Sequence, residues 1–410
     1  MLSGCSLFSK HAPVDDFLNK LSEEHVITSH DILLPEARTN TIWHDDIDIV
    51  NSNIAHFKVS GKLDTWSLKH FAYSKDIVSD VVCDFDKIFI MTNTGVVVAI
   101  DKSDYCAVWT SDIGLKKEKV QFSSMSIYGN KLYVTANNYF LILSVVDGEE
   151  LVRVPFQNYI TSGVCLSDDD TKAYIKDDRA MYSVDTSSGR VTWILLGTPD
   201  NIKIYARTKS LLYKGDLLIT DYSAGQLSVI ESKKGGRLYQ RVLFPQGHAC
   251  EIVQLSLGGV ICQPILDKKN DMLYFAAGPD YITKYDLKKQ KAVWSKKIPG
   301  IRKMLLAGNT LFATTMGRQA VSVNIDNGQL SWVANLDTNL SKQGSRDFLQ
   351  PLLVNENLVV VSANGEMFTV NPFNGRVASR INFDSGKVLA MCVIDDQLKL
   401  FTKKGMIEVR

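Results

Sequence analysis

The sequence predicts an all-β protein: an eight-bladed β-propeller of four-stranded blades, its ring closed by an N-terminal strand that completes the last blade. Three observations carry this expectation. A turn frame recurs seven times, short apolar strands return at a near-constant spacing, and most tryptophans fall in one slot of the frame. A repeat of about 44 residues with four strands is the period of a propeller blade. It lets a chain of 410 residues form one large domain instead of two or three.

The frame is clearest in Ser183–Trp193, SVDTSSGRVTW, where Asp185 opens a turn, Gly189 stands four residues on and Trp193 eight on. An aspartate can bond its own backbone in a turn, and glycine accepts positive φ. Asp101, Tyr105 and Trp109 repeat the frame, as do Ser144, Gly148 and Val152, then Glu231, Gly235 and Tyr239. Asp286, Gln290 and Trp294 follow, then Asn324, Gly328 and Trp332, and finally Asn371, Gly375 and Ser379. The aromatic lies on the fourth strand, where a flat indole fills the space between neighbouring blades and its N–H finds a carbonyl. Trp43, Trp109, Trp193, Trp294 and Trp332 are therefore expected to be blade-packing residues.

The second strands begin at Lys87, Lys131, Lys172, Asp216, Met272, Thr310, Asn357 and Gln397, with spacings of 44, 41, 44, 56, 38, 47 and 40. Each is preceded by an apolar run and followed by a third strand, the turn and a fourth strand, the pattern of successive hairpins. The eighth unit stops at its third strand, GMIEVR. Thr41-Ile42-Trp43 is β-prone, and the expectation is that it supplies the missing strand and removes the free edges of an open array. Trp66 falls outside the frame, in the segment leading to blade one.

At the N-terminus, Leu2-Ser3-Gly4-Cys5 matches a lipobox, in which Cys5 is acylated. Residues 1–4 then read as the remnant of a signal peptide, 5–40 as a lipid-anchored tether and 41–410 as the propeller. A fully extended tether of that length reaches roughly 100 Å. No run of about 20 apolar residues is present to span a membrane as a helix. The net charge of +1, from 46 basic and 45 acidic residues, carries no basic excess that would point to nucleic acid.

Catalytic motifs are not evident: the chain has no GxxxxGK[ST], HExxH, CxxC or GxSxG. Asp168–Asp170 is expected to be a solvated hairpin turn, and Asp45, Asp46 and Asp48 an acidic run just past Trp43. Cys83, Cys165, Cys262 and Cys392 fall on or near first strands as small buried hydrophobes. Cys250 and Cys262, twelve apart in the longest inter-repeat segment, could be bridged in an oxidising compartment.

The frame small-x-Asp-x-x-x-Gly-x-x-x-Trp resembles the repeat of the pyrroloquinoline-quinone-type propellers. With the lipobox, eight units and the C-terminal NGEMFTVNPFNGRV and KKGMIEVR, the chain is similar to the BamB family, lipoproteins of the bacterial outer-membrane β-barrel assembly machine. The resemblance implies a non-catalytic scaffold without a cofactor, lipid-anchored on the periplasmic face of the outer membrane. Its implied partners are the POTRA domains of BamA, the assembly complex and unfolded outer-membrane proteins. It places partner contacts on two loops, Pro199–Ser210 with Ile202, Ile204 and Tyr205, and Gln246–Val260 with Glu251, Gln254, Leu255 and Leu257. The quinone enzymes of the wider group use a vicinal cysteine pair, and this chain has none. A quinone- or metal-dependent periplasmic enzyme, or a propeller serving another envelope partner, is the alternative.

Overall fold

Hydrophobic patterning and burial agree on which strands lie inside. The computed structural model describes residues 31–44, 56–70, 73–78, 81–115, 118–197, 208–222, 226–242, 262–277, 281–336 and 347–410. Their strands form eight sheets, one per blade. Blade one runs Val82–Cys83, Lys87–Met91, Val96–Asp101 and Ala107–Asp112, from the ring centre to the rim. The second and third strands, KIFIM and VVVAID, are almost wholly buried. Both faces of a middle strand are covered by neighbouring blades, so its sequence is a continuous apolar run, not an alternating one. The rim strand AVWTSD keeps mostly exposed positions.

Each blade is an antiparallel meander, so its turns fall alternately on two faces of the ring. The inner-to-second and third-to-rim turns share one face, here the turn face. The second-to-third turns and the connections between blades share the other, the loop face.

The expected turn frame is present. In blade three the Asp185 carboxylate accepts the backbone N–H groups of Ser187 and Ser188 at 3.1 and 3.0 Å, and Gly189 N–H closes the turn on Asp185 O at 2.8 Å. A bulge follows, because Ser183 pairs with Trp193 while Val184 pairs with Val191. What the frame does not reveal is that its glycine and tryptophan serve different blades. Trp193 Nε1 donates to Ser232 O of blade four at 2.9 Å, and its ring lies under Gly235. A Cβ on Gly235 would stand 2.6 Å from the indole. Trp109 meets Gly148, Trp294 meets Gly328 and Trp332 meets Gly375 in the same way. Each of these four tryptophans thus requires a glycine in the next repeat. Where the glycine slot holds Tyr105, the phenol O–H instead reaches Glu408 of blade eight at 2.8 Å.

An N-terminal strand does close the ring, but Trp43 is not in it. Blade eight (Val388–Ile394, Gln397–Thr402, Gly405–Val409) is completed by Trp66–Lys69, with Trp66 opposite Val409 and Lys69 opposite Met406. From residue 70 the chain needs only an ordinary inter-blade connection to reach Val82. A start at Trp43 would leave residues 44–81 to be absorbed. Trp43 lies on the channel side, where its backbone exchanges hydrogen bonds with Cys83 of blade one at 2.9 and 2.8 Å. It is buried and packs on Phe57, so it fills core without occupying the rim slot.

The segment expected to be a free tether up to residue 40 is seated on the propeller from residue 31. It crosses the turn face as a strap. Asn309 of blade six holds Leu33 N–H and Asp31 O, Asp395 N–H of blade eight bonds Asn40 O, and His44 Nδ1 bonds Ile127 O of blade two. Farther on, His56–Phe57 adds a fifth, parallel strand to the inner strand Leu352–Val354 of blade seven. The strap therefore staples blades six to eight onto blades one and two, across the closure.

Candidate functional site

Polar side chains at the roots of the loop face are held in place by neighbouring blades. The connection from blade three to blade four spans 197–210, and that from four to five spans 243–264. Their described roots lie side by side. The Gln263 side chain accepts Lys209 N–H at 2.7 Å and donates to Lys209 O at 3.1 Å, in the manner of one more backbone pair. Lys176 Nζ, buried at the end of a blade-three strand, donates to Thr208 Oγ1 at 2.8 Å. Ser210 Oγ donates to Thr220 Oγ1 within blade four. Two long connections on adjacent blades thus end on one fixed base.

The previous connection is anchored on Asp177. Its buried carboxylate accepts Asn158 Nδ2 at 3.0 Å, the Tyr182 hydroxyl at 2.8 Å and two backbone N–H groups. Burial, and then this carboxylate, push the Tyr182 hydroxyl well above the ordinary phenol range. Between blades six and seven, Glu366 is clamped by Arg318 at 2.7 Å and by Arg380. Burial alone would raise the Glu366 pKa, but the two guanidinium hydrogen bonds outweigh it and the net shift is downward. These charges are spent on holding turns and blades, which is what a rigid platform requires.

The partner-binding residues expected from resemblance, Ile202, Ile204, Tyr205, Glu251, Gln254, Leu255 and Leu257, lie outside the described residues, as do Cys5 and Cys250. The structure fixes the base of both loops and not those side chains. Gln263 and Lys209 carried no sequence signal, since neither stands in a repeat frame. Cys83, Cys165, Cys262 and Cys392 are buried as expected. Asp168–Asp170 is a turn, in which Asp169 accepts the Ser167 and Thr171 hydroxyls; these hydrogen bonds lower its pKa to about 2. Among the described residues no three His, Cys, Asp or Glu side chains are grouped to hold a metal ion. Nor is any helix there long and apolar enough to cross a membrane.

One cavity opens between the strap and the inner strands of blades two to five. It has a volume of about 570 Å³ and is lined by His44, Tyr128, Cys165, Asp168, Lys209 and Leu212, among others. His44 stacks on Tyr128 at 5.7 Å, and Lys209 Nζ donates to the Tyr128 hydroxyl at 3.1 Å.

Comparison with known proteins places this architecture. An uncharacterized protein of Rickettsia conorii is 24% identical over 74% of this chain and 75% of its own length. The outer membrane protein assembly factor BamB of Yersinia pestis is 21% identical over 99% of this chain and 95% of its own. The crystal structure of BamB from Moraxella catarrhalis superposes with a TM-score of 0.68 at 14% identity, covering 84% of this chain and 99% of that one. The C-terminal WD40 domain of Sif2 reaches 0.62 at 11% identity, over 83% and 97% of the two chains, so these structural likenesses speak for the propeller fold alone. The family described as outer membrane protein assembly factor BamB matches residues 43–315 and 263–390, nearly the whole ring, and the chain belongs to that family.

Proposed function

We propose that the protein is a non-catalytic scaffold of the outer-membrane β-barrel assembly machinery. The loop face between blades three and five binds the POTRA domains of BamA, and the propeller orients them while outer-membrane proteins fold and insert. The observation that supports this most directly is the shared base of the two long connections, where Gln263 holds Lys209 and brings the roots of both loops together. Loops on a rigid scaffold are the usual place for recognition. Cys5 carries the lipid that holds the protein on the periplasmic face of the outer membrane.

The test is a pull-down from detergent-solubilised membranes with the lipidated wild type and with an Ile204→Asp, Leu255→Asp variant of unchanged circular dichroism. BamA is expected with the wild type and is lost with the variant. Equal capture by both keeps the function and refutes the loop site. If BamA never appears, the assembly reading fails. Cys5→Ser is expected to move the protein from the membrane to the soluble fraction.

A further inference from the structure

The rim strand of blade three, Val191–Leu196, differs from the other rim strands. Its sequence, VTWILL, holds no charge and no proline. A sheet's outermost strand presents unpaired N–H and C=O groups, and proteins guard such edges with charge, proline or cover. The other blades follow that rule. Blade two has Glu150, Arg153 and Pro155, blade five has Lys291, Lys296 and Lys297, and blade seven has Arg380. Blade one has Asp112, blade four Arg237 and Arg241, and blade eight Lys69. The rim strand of blade six, LSWVAN, is also uncharged, but its residues Ser331–Ala334 are buried.

In blade three, Trp193 and Leu195 turn towards blade four, while Val191, Ile194 and Leu196 are 39%, 57% and 72% exposed. Exposure of apolar surface thus rises along the strand towards the loop face. The strand runs directly into the 197–210 connection, with Gly197 N–H bonded to Arg179 O at its end. The edge and the first proposed partner loop are one continuous piece of chain.

We infer that this edge is a strand-addition site: an exposed edge strand of the same partner pairs with Val191–Leu196 and covers Ile194 and Leu196. This rests on the proposed function, since the partner is the protein that the neighbouring loop holds. The matching strand is uncharged at its centre and carries apolar side chains at alternate positions, because a charge opposite Ile194 would be buried without a partner. The protein already adds a strand to two of its own sheets, Trp66–Lys69 on blade eight and His56–Phe57 on blade seven.

The experiment titrates the soluble periplasmic portion of BamA into the wild type and an Ile194→Lys, Leu196→Lys variant. Val108→Lys, a 50%-exposed position on the blade-one rim, is the control. Affinity is expected to fall about tenfold or more in the double variant and to hold in the control. Hydrogen exchange is expected to slow at Val191–Leu196 on complex formation, a protection that side-chain contact alone would not give. Equal affinity of wild type and double variant, with no added protection, overturns the inference while the loop reading stands. Loss of wild-type self-association in the double variant, with unchanged BamA affinity, also overturns it and makes a second copy the occupant. If BamA does not bind even the wild type, the assembly reading itself fails and this inference fails with it.

Discussion

The pairing of each tryptophan with a glycine of the next blade can be separated from ordinary turn strain by comparing two alanines. Gly114 and Gly375 have nearly the same φ, +72° and +74°. A Cβ on Gly114 meets nothing within 4 Å, whereas one on Gly375 stands 2.7 Å from the Trp332 indole. Gly114→Ala therefore reports the left-handed backbone alone, roughly 1 kcal/mol. Gly375→Ala adds the clash, about 1–3 kcal/mol for overpacking a close contact, and about 1 kcal/mol more if the ring moves off Pro372 O. That bond is 2.8 Å long and buried. The expected gap between the two variants is about 1–4 kcal/mol, read by urea unfolding with far-ultraviolet circular dichroism. In a Trp332→Leu background the Gly375→Ala penalty is expected to drop to that of Gly114→Ala. Equal penalties in the wild-type background, or a gap that survives the loss of the indole, would refute inter-blade packing as the reason for the glycine.

Other perturbations follow from the same geometry. Glu366 has a depressed pKa in the folded protein, so its contribution is present above the unfolded carboxyl pKa of about 4.3 and is lost as pH falls through the lower folded value. Glu366→Gln is expected to lower stability at neutral pH by about 3 kcal/mol, because it removes the carboxylate that clamps Arg318 and Arg380, and to flatten the acid limb below about pH 4. An unchanged acid limb would count against the clamp. Trp43→Ala is expected to cost about 3–5 kcal/mol and to make the Cys83 thiol reactive to Ellman's reagent in a background where Cys5, Cys106 and Cys250 are serine. A thiol still protected would show that the strap does not cover blade one through Trp43. Gln263→Leu removes its two hydrogen bonds to Lys209, worth roughly 1 kcal/mol each, and is expected to weaken BamA capture by more than it lowers stability. Capture that follows stability alone would argue against a shared loop base.

The repeat was legible because it is local. Asp185, Gly189 and Trp193 lie within one hairpin, and their chemistry dictates a turn whatever surrounds it. The apolar runs of the second and third strands were legible because both faces are buried in every blade. From these came the blade number, the strand count and the family. The closing strand was not legible. Thr41-Ile42-Trp43 and Trp66–Lys69 are both β-prone stretches with a tryptophan, and only pairing with Gly405–Val409 decides between them. The strap was missed for a similar reason. Several of its contacts are to backbone groups of distant blades, such as Val393 O for Asn40, Ile127 O for His44 and Asp395 N–H for Asn40 O, and backbone groups leave no trace in side-chain identity.

The same division holds for the site. That the connection after blade four is long follows from the 56-residue spacing alone. That Gln263 ties its root to that of the connection before blade four, and that the uncharged rim of blade three stays exposed while that of blade six is covered, depends on which surfaces the closed ring brings together. Sequence determines what each strand can bury, because burial is a property of its own side chains. Tertiary structure decides which edges and carbonyls are left for others, because that depends on neighbours many residues away.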